Sequence, residues 1–490
     1  MSKRKGTKIT FQIDKEKNFP EWYDEILERA EIIDKRYPVK GMPVLMPYGY
    51  QIFENIMKKL EELWNKTGHK KVLFPTLIPY TLFKREADHI KGFEEQVFWV
   101  TKAGGKDLKE LLILRPTSEV PIYYMFSLWI RSHKDLPLKI YQTCTVFRYE
   151  TKATKPLIRV REIPWNEAHT AHATREDAER QIKEAWKCYD ELFIDWLCIY
   201  GLKLVRPEWD KFPGAEYSVT LDILMPDGRI LQAVGNHFLG QKFSRVFDIS
   251  FETKDGGRDY VYQTCYGIST RTVAAVLAVH GDNNGLILPC TIAPIQVVIV
   301  PIPYKEREED VLRKCRNVEK LLKEKGIRVL LDDRDETPGN KFYFWEMKGV
   351  PVRIEIGPRD VDNGTVTICK RYNREKIQVK DEDLMEALER VFEDIMNYLR
   401  EKSKEKLEKS IVNVKALDEL KEAIENGLIA RAPFCSIEMD GYECAQYVKE
   451  NIGGEVRGIK FQSSETPKES DKCIVCGRKA KYIVYIAKSY

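Results

Sequence analysis

Arg271 stands at the front of an apolar run, Gly267-Ile-Ser-Thr-Arg-Thr-Val-Ala-Ala-Val-Leu-Ala-Val-His-Gly-Asp282. Such a run reads as a buried helix, with Ser269 or Thr270 capping its start and Gly281 stopping it. A buried guanidinium needs an anion, and the positive end of the helix dipole favours one at the same place. Either a carboxylate from elsewhere in the fold or a bound ligand can supply it. A second charged group falls on a predicted hairpin. Arg148 and Glu150 share a face of a strand over 139–150, and Trp165, Glu167 and His169 share a face of a return strand over 157–169. Thr117 and Glu119, two apart, would also share a face, and Gln232 and His237 join the polar candidates. A face carrying Arg, Glu, Trp, Glu and His makes poor core and suits a charged small molecule. The alternative is a solvated sheet face with an incidental Trp. His169 and His172, spaced i,i+3 on a strand end with no third ligand, do not read as a metal site.

Metal chemistry is expected instead in the tail. Cys473-Ile-Val-Cys476-Gly477 has the form of a zinc knuckle, and Cys435 and Cys444 complete a four-thiolate set. With every position filled by protein, such a zinc is structural.

The elements that must position these residues follow from periodicity. Amphipathic helices are expected over 18–36 and 51–67, then a strand over 71–77 carrying Pro75, which suits a sheet edge or an interface. A long helix covers 174–200. From 288 the pattern changes to an α/β unit with a mixed sheet. Its strands lie over 295–300, 327–333, 351–357 and 365–371, and its helices over 305–325, 340–348 and 381–403. A charged helical connector over 401–409 leads to a small third unit with a helix over 416–426.

A chain of 490 residues is too long for one core. The net charge of +4 confines any RNA-binding face to a local patch. The basic segment 1–8 has no apolar run behind it, so no secretory signal is expected. No apolar stretch is long enough to span a membrane, and eleven mostly isolated cysteines point to a reducing, cytoplasmic setting.

Taken together, the motifs resemble those of class II aminoacyl-tRNA synthetases, and of prolyl-tRNA synthetases of the archaeal and eukaryotic type in particular. The helix and strand ending at Pro75 resemble motif 1, Phe147-Arg148-Tyr149-Glu150 with its return strand motif 2, and Gly267 to Asp282 motif 3. Arg115-Pro-Thr-Ser-Glu119 and Trp165-Asn-Glu-Ala-His-Thr-Ala-His172 resemble the proline member. Asp332-Asp-Arg-Asp335 and Trp345-Glu-Met-Lys-Gly-Val-Pro-Val-Arg353 resemble signature segments of this subgroup's anticodon-binding domain. The resemblance implies an α/β multidomain fold. An antiparallel-sheet catalytic domain spans 1–287, a mixed α/β anticodon-binding domain 288–400 and a small zinc-binding α/β domain 401–490. It implies ATP-dependent attachment of L-proline to tRNA(Pro) through prolyl-adenylate, magnesium accompanying ATP, structural zinc, and a homodimer formed through the motif 1 region.

Site roles follow from the same resemblance. Arg148 would hold the α-phosphate and the proline carboxylate, and Arg271 the terminal phosphates; both are the catalytic candidates. Glu150, Arg159, Val160, Gln232, Gly235 and Ser269 would complete the ATP site, with Glu150 and Glu162 at adenine or magnesium. Residues 233–236 read Ala-Val-Gly-Asn where related enzymes often carry a hydroxyl, so Gly235 would offer only backbone. Thr117 and Glu119 would take the proline ammonium, with Glu167 beside them. Trp165, Phe93 and Phe212 would wall the ring, and His169 and His237 would close the slot. Glu346 and Arg353 would read anticodon guanines, or else form a surface salt bridge. Tyr490 would bring its carboxylate towards the active site. No large insertion separates motifs 2 and 3, so the editing domain of the bacterial type is not expected, and misactivation of alanine or cysteine is. Rival readings are the threonyl enzyme, which reads its substrate with an active-site zinc, a non-catalytic paralogue, which loses the motif 2 or 3 charges, and a plain zinc-containing RNA-binding protein.

Overall fold

The computed structural model describes residues 11, 13–85, 94–151, 153–302, 304 and 306–490. Two helices, α1 (Phe19–Arg29) and α2 (Pro47–Lys66), pack their apolar faces into the main core, with Trp22, Ile26, Ile52, Ile56 and Leu60 fully buried. The first is shorter than its periodicity predicts. Glu31 takes a left-handed conformation, and Ile33–Asp34 then pairs with Val44–Leu45. Of the strand expected over 71–77, only β1 (Lys70–Lys71) and a separate piece, Leu77–Pro79, form ladders; Pro75, with no N–H to give, lies between them.

The chain continues through α3 (Glu119–Trp129), β2 (Leu138–Phe147), β3 (Glu162–His172), α4 (Arg175–Asp190), β4 (Leu202–Val205), β5 (Tyr217–Leu224), β6 (Arg229–Gly240), β7 (Tyr262–Ser269) and α5 (Arg271–His280). The second unit holds β8 (Val297–Pro301), α6 (Glu308–Glu324), β9 (Val329–Leu331), α7 (Pro338–Met347), β10 (Val352–Ile356), β11 (Thr365–Lys370), β12 (Lys376–Lys380) and α8 (Leu384–Lys409). The tail holds β13 (Ile411–Asn413), α9 (Leu417–Glu425), β14 (Ile429–Phe434), β15 (Glu455–Lys460) and β16 (Tyr482–Ser489).

An 11-stranded sheet runs in the order β13-β14-β16-β15-β4-β5-β6-β7-β3-β2-β1. Tail and front half therefore share one sheet, joined where Ile459 and Lys460 of β15 pair with Val205 and Leu204 of β4. The end of β16 also pairs in parallel with the start of β6. The second unit has its own mixed sheet, β9-β8-β10-β11-β12, parallel over its first three strands and antiparallel beyond.

Two departures from the sequence expectation shape the site. The apolar helix itself begins at Arg271 with Thr270 at its cap position, one of the two starts expected, and Gly267 to Ser269 before it complete a ladder with β3, the first two also pairing with β6. A Cβ at Gly267 would come within 2.7 Å of the Asn166 carbonyl, so the strands approach closely there. The return strand begins at 162, five positions late: Leu157 is left-handed, and residues 155–159 fold back on themselves. The carbonyls of Leu157 and Ile158 then accept from Thr270 Oγ1 at 3.0 Å and Arg271 Nε at 2.9 Å, so they serve α5 rather than a ladder. Finally, β2 stops at Phe147, which leaves Arg148 and Glu150 just past its end.

Candidate active site

One cavity of about 380 Å³ opens between the ends of β2 and β3, the strands β5–β7 and the start of α5. It is lined by Thr117, Glu119, Arg148, Glu150, Arg159, Val160, Trp165, Glu167, His169, Phe212, Gln232, Gly235, His237, Ser269 and Arg271. Residues spread over 155 positions of sequence thus meet in one place. Phe93 lies outside the described residues. Glu162, exposed at the start of β3, is not part of the lining, and Glu346 and Arg353 lie in the second unit.

The cavity has a cationic end. Arg271 is set by α5, where Ser269 Oγ accepts from its backbone N–H at 3.3 Å; Thr270, the capping position, spends its hydroxyl on Leu157 instead. The Arg271 side chain donates to the Ile158 carbonyl at 2.9 Å and the Gln232 carbonyl at 3.5 Å. Among the described residues no carboxylate comes within ion-pair distance of it. Burial, and then the neighbouring Arg148, Arg159 and Arg457, pull its pKa down to about 10. Burial also lowers the pKa of Arg148, whose Nε donates to the Pro116 carbonyl at 3.0 Å and whose guanidinium lies 5.6 Å from the Trp165 ring. Arg159 faces Glu150 at 3.7 Å. Crowded buried cations of this kind are stabilised by a polyanion.

The other end is acidic and aromatic. Thr117 and Glu119 do meet, by a hydrogen bond across the first turn of α3 rather than along a strand. Glu167 accepts from Gln142 at 2.8 Å and shares a 3.0 Å contact with His169. Burial alone would raise its pKa, but these partners hold the carboxyl below its ordinary value. His237 stacks on Phe212 with ring centroids 4.6 Å apart and shares a hydrogen bond with Ser218 at 2.8 Å. Burial pushes its pKa down to about 3, so it is neutral.

Glu119, His169 and Cys265 bring one ligand atom each within 4.8 Å of one another. However, both ring nitrogens of His169 are engaged, with Tyr123 at 3.1 Å and Glu167 at 3.0 Å, and burial with Glu119 alongside keeps Cys265 a thiol. That trio fits a hydrogen-bonded pocket floor better than a metal. His172 likewise faces Asp177 at 2.7 Å and Thr170 at 2.8 Å. Arg206, Ser218, Thr220 and Cys265 also line the cavity, and no spacing or motif marks them in advance.

Outside the cavity, Cys435, Cys444, Cys473 and Cys476 place four sulfurs within 4.8 Å of one another, a donor set suited to zinc. Arg478 donates to the sulfurs of Cys476 at 3.3 Å and Cys435 at 3.5 Å. Burial opposes ionisation of Cys476, but Arg478 and the neighbouring thiols outweigh it and bring its pKa to about 6. Glu346 and Arg353 are not a surface pair: both are buried and meet at 3.2 Å, with Arg353 also 2.9 Å from Glu355. Tyr490 packs its backbone on Ile230 and donates its hydroxyl to Asp227 at 2.8 Å, beside a basic groove that shares Arg159 and Val160 with the cavity.

Known proteins resemble this chain over nearly its whole length. Residues 98–280 match the profile of the tRNA synthetase class II core domain (G, H, P, S and T), 296–390 that of the anticodon binding domain, and 417–490 that of the prolyl-tRNA synthetase C-terminal domain. The proline–tRNA ligase of Pyrococcus abyssi is 52% identical over 96% of this chain and 98% of its own. The chain belongs to the prolyl-tRNA synthetases, in their archaeal and eukaryotic branch. The proline–tRNA ligase of Methanopyrus kandleri is 50% identical over 96% of both chains. A solved structure of Giardia lamblia prolyl-tRNA synthetase in complex with prolyl-adenylate superposes with a TM-score of 0.95 at 44% identity, covering 98% of this chain and all of that one. Among the described residues, no helix is long and apolar enough to cross a membrane.

Proposed function

We propose that this chain charges tRNA(Pro) with L-proline in two steps. A proline carboxylate oxygen attacks the α-phosphorus of ATP, pyrophosphate leaves, and prolyl-adenylate forms. The terminal ribose hydroxyl of the tRNA then attacks the prolyl carbonyl and AMP leaves. The observation that carries this is the union, in one cavity, of three crowded guanidiniums with an acidic and aromatic slot. Transfer at phosphorus needs alignment and charge compensation more than covalent help. Arg148, between the two ends, suits the carboxylate and α-phosphate; Arg271 and Arg159 suit the outer phosphates. Glu119 and Thr117 suit a secondary ammonium, and Trp165, Phe212 and His237 an apolar ring.

Glu150 is a lining carboxylate beside Arg159, so it fits magnesium carried in with ATP, which would balance phosphate charge there. The four tail thiolates fit a closed, structural zinc. We divide the chain into a catalytic unit to 287, an anticodon-reading unit to 400 and a zinc unit beyond. Glu346 and Arg353 have the groups that match guanine edges, and to read an anticodon they would exchange their contact with each other for the base. Leu73 and Leu77, exposed beside β1, support a homodimer through that edge; a Leu73→Glu chain running as a monomer by light scattering would test it. Eleven unpaired cysteines suit a reducing cytoplasm. The slot, which selects by shape, would also admit alanine and cysteine weakly.

ATP–pyrophosphate exchange against each amino acid, with Arg271→Ala as control, tests the function. Exchange strongest with proline and lost in the variant is expected. No exchange with any amino acid, even with tRNA present, would point to a non-catalytic tRNA-binding paralogue.

A further inference from the structure

Along β5, Ser218, Thr220 and Asp222 share one face. The first two line the cavity, and Asp222, fully buried, takes two guanidiniums on the same oxygen. Arg457 Nε reaches Asp222 Oδ2 at 2.7 Å, and Arg206 Nη1 reaches it at 3.4 Å. Thr220 holds the other carboxylate oxygen at 3.1 Å. The two arginines lie 251 positions apart in the sequence. Arg206 follows β4 and lines the cavity, whereas Arg457 lies on β15 in the zinc-binding part. Arg457 is braced by Glu455 at 3.2 Å, and its own carbonyl accepts from Arg206 Nη1 at 3.0 Å. Arg206 Nη2 pairs with Asp210, while its Nε is buried without a partner among the described residues.

This is a competition with a geometric outcome. Arg457 occupies the near position on Oδ2, so Arg206 keeps only a long contact and its guanidinium stays in the cavity wall. Without Arg457, a lone buried carboxylate would draw Arg206 onto itself. The nucleotide end is also tied in across the ladder. A register break between Leu221 and Asp222 sets Asp222 opposite Gln232, whose carbonyl accepts from Arg271. Burial, and then the nearness of Arg457, lower the Arg206 pKa to about 9, so an anion at that wall would relieve it.

We propose that Arg457 is a positioning residue for ATP: by holding the Asp222 carboxylate it keeps the Arg206 guanidinium in the cavity wall, where it meets the nucleotide. This rests on the adenylate-forming function above. It makes the zinc-binding part a working component of the first step, before any tRNA is bound.

The test is ATP–pyrophosphate exchange by the full-length, zinc-loaded chain without tRNA, varying ATP at saturating proline and then the reverse. Arg457→Ala is expected to raise the KM for ATP about tenfold and leave that for proline within about twofold. Arg457→Lys, which can still take Oδ2, should recover part of the loss. Arg206→Ala should give the same ATP-selective defect, and the double variant should be no worse than Arg206→Ala alone. An unchanged ATP KM with a lowered Tm would reduce the cluster to a structural clamp and overturn the proposal, as would multiplicative effects in the double variant. If Arg457→Ala loses zinc or fails to fold, Glu455→Gln takes its place. A raised ATP KM is then expected, and an unchanged one overturns the proposal. Absence of exchange in the wild-type chain would instead remove the underlying function.

Discussion

Arg371 grips Asp282 with both arms of its guanidinium, at 2.9 and 2.8 Å, while its Nε donates to the carbonyl of Glu346 at 2.7 Å. One side chain therefore ties the turn after α5 to the end of α7. The two backbones meet at the same place: Leu286 donates to the Met347 carbonyl at 2.9 Å, and a Cβ on Gly285 would fall within 2.5 Å of the Met347 Cα. The helix that carries Arg271 and the helix that carries Glu346 are thus fastened at their C-terminal ends.

Breaking this pair should be costly. Arg371 is buried but Asp282 is only half-buried and keeps the Asn284 backbone N–H, so Arg371→Ala removes charged hydrogen bonds worth roughly 1.5–3 kcal/mol. Thermal unfolding should show it as a clear fall in Tm, with Arg371→Lys intermediate. The pH dependence has a definite sign. Burial would raise the Asp282 pKa, but Arg371 outweighs it and holds the value below the ordinary one. A depressed folded pKa gives stability that is present above about pH 4 and lost as the pH falls through the folded value. The Tm difference between wild type and Asp282→Asn should therefore shrink in acid. A difference constant down to pH 2 would contradict the pairing.

Arg271→Ala should separate catalysis from stability. In the role proposed for Arg271, as one preorganised cation at the ATP phosphates, its loss should lower exchange by about 10²–10³-fold. Arg271 has three cationic neighbours, Arg148, Arg159 and Arg457, and no carboxylate within ion-pair distance among the described residues, so removing it should leave Tm unchanged or raised. ATP should raise the Tm of the wild type and do so less for the variant. A large fall in Tm would mean that Arg271 is a structural residue.

Much of this site is legible in the sequence because its charges sit where apolar residues are expected. Arg271 opens an apolar helix, and Glu167 and His169 occupy a strand that the structure buries on both faces. What is hidden has a physical cause. Ser218, Thr220 and Asp222 alternate with apolar residues as any half-exposed strand does, and only the joining of β15 to β4 shows that this face is covered. Glu346 and Arg353 suggest a surface salt bridge by type, yet their strand and helix face inward. Residues 157–161 read as strand by alternation, whereas the carbonyls of Leu157 and Ile158 serve Thr270 and Arg271 and that of Arg159 closes a local turn with Lys155. In each case tertiary packing overrides a local pattern.

The four tail sulfurs should hold about one zinc ion per chain, measurable by metal analysis. Stripping it with a chelator, or replacing buried Cys473 by Ser, should lower Tm, because folding and metal binding are coupled. Replacing Cys315, buried in the core of the second unit, should leave the zinc content unchanged. Full zinc content in Cys473→Ser would exclude this site.

Gly235 should be a constraint on proline binding. A Cβ there would stand 2.7 Å from His237 Nε2. The imidazole has little room to yield, being stacked on Phe212 and hydrogen-bonded to Ser218. Gly235→Ala should therefore displace the ring that closes the slot and raise the KM for proline by about tenfold. The KM for ATP should move less. Equal changes in both would mean a general distortion of β6.

The same slot sets the limit on selectivity. Phe212, Trp165 and His237 offer contact to an apolar ring, and Glu119 with Thr117 offers acceptors to an ammonium. Alanine and cysteine bring the same ammonium and carboxylate and forgo only part of the apolar contact. Each methylene forgone is worth about 1–3 kcal/mol, or 10–200-fold, and no group in the slot is left buried and unpaired by a smaller side chain. Exchange with alanine and cysteine should therefore be weak but measurable, with alanine kcat/KM roughly 10²–10⁴-fold below that of proline. His237 is neutral down to about pH 3–4, so this ratio should stay flat between pH 6 and 8. Exchange at background for both amino acids would show that the slot rejects them by something other than shape. A ratio that titrated near neutrality would assign part of the selection to a protonation event.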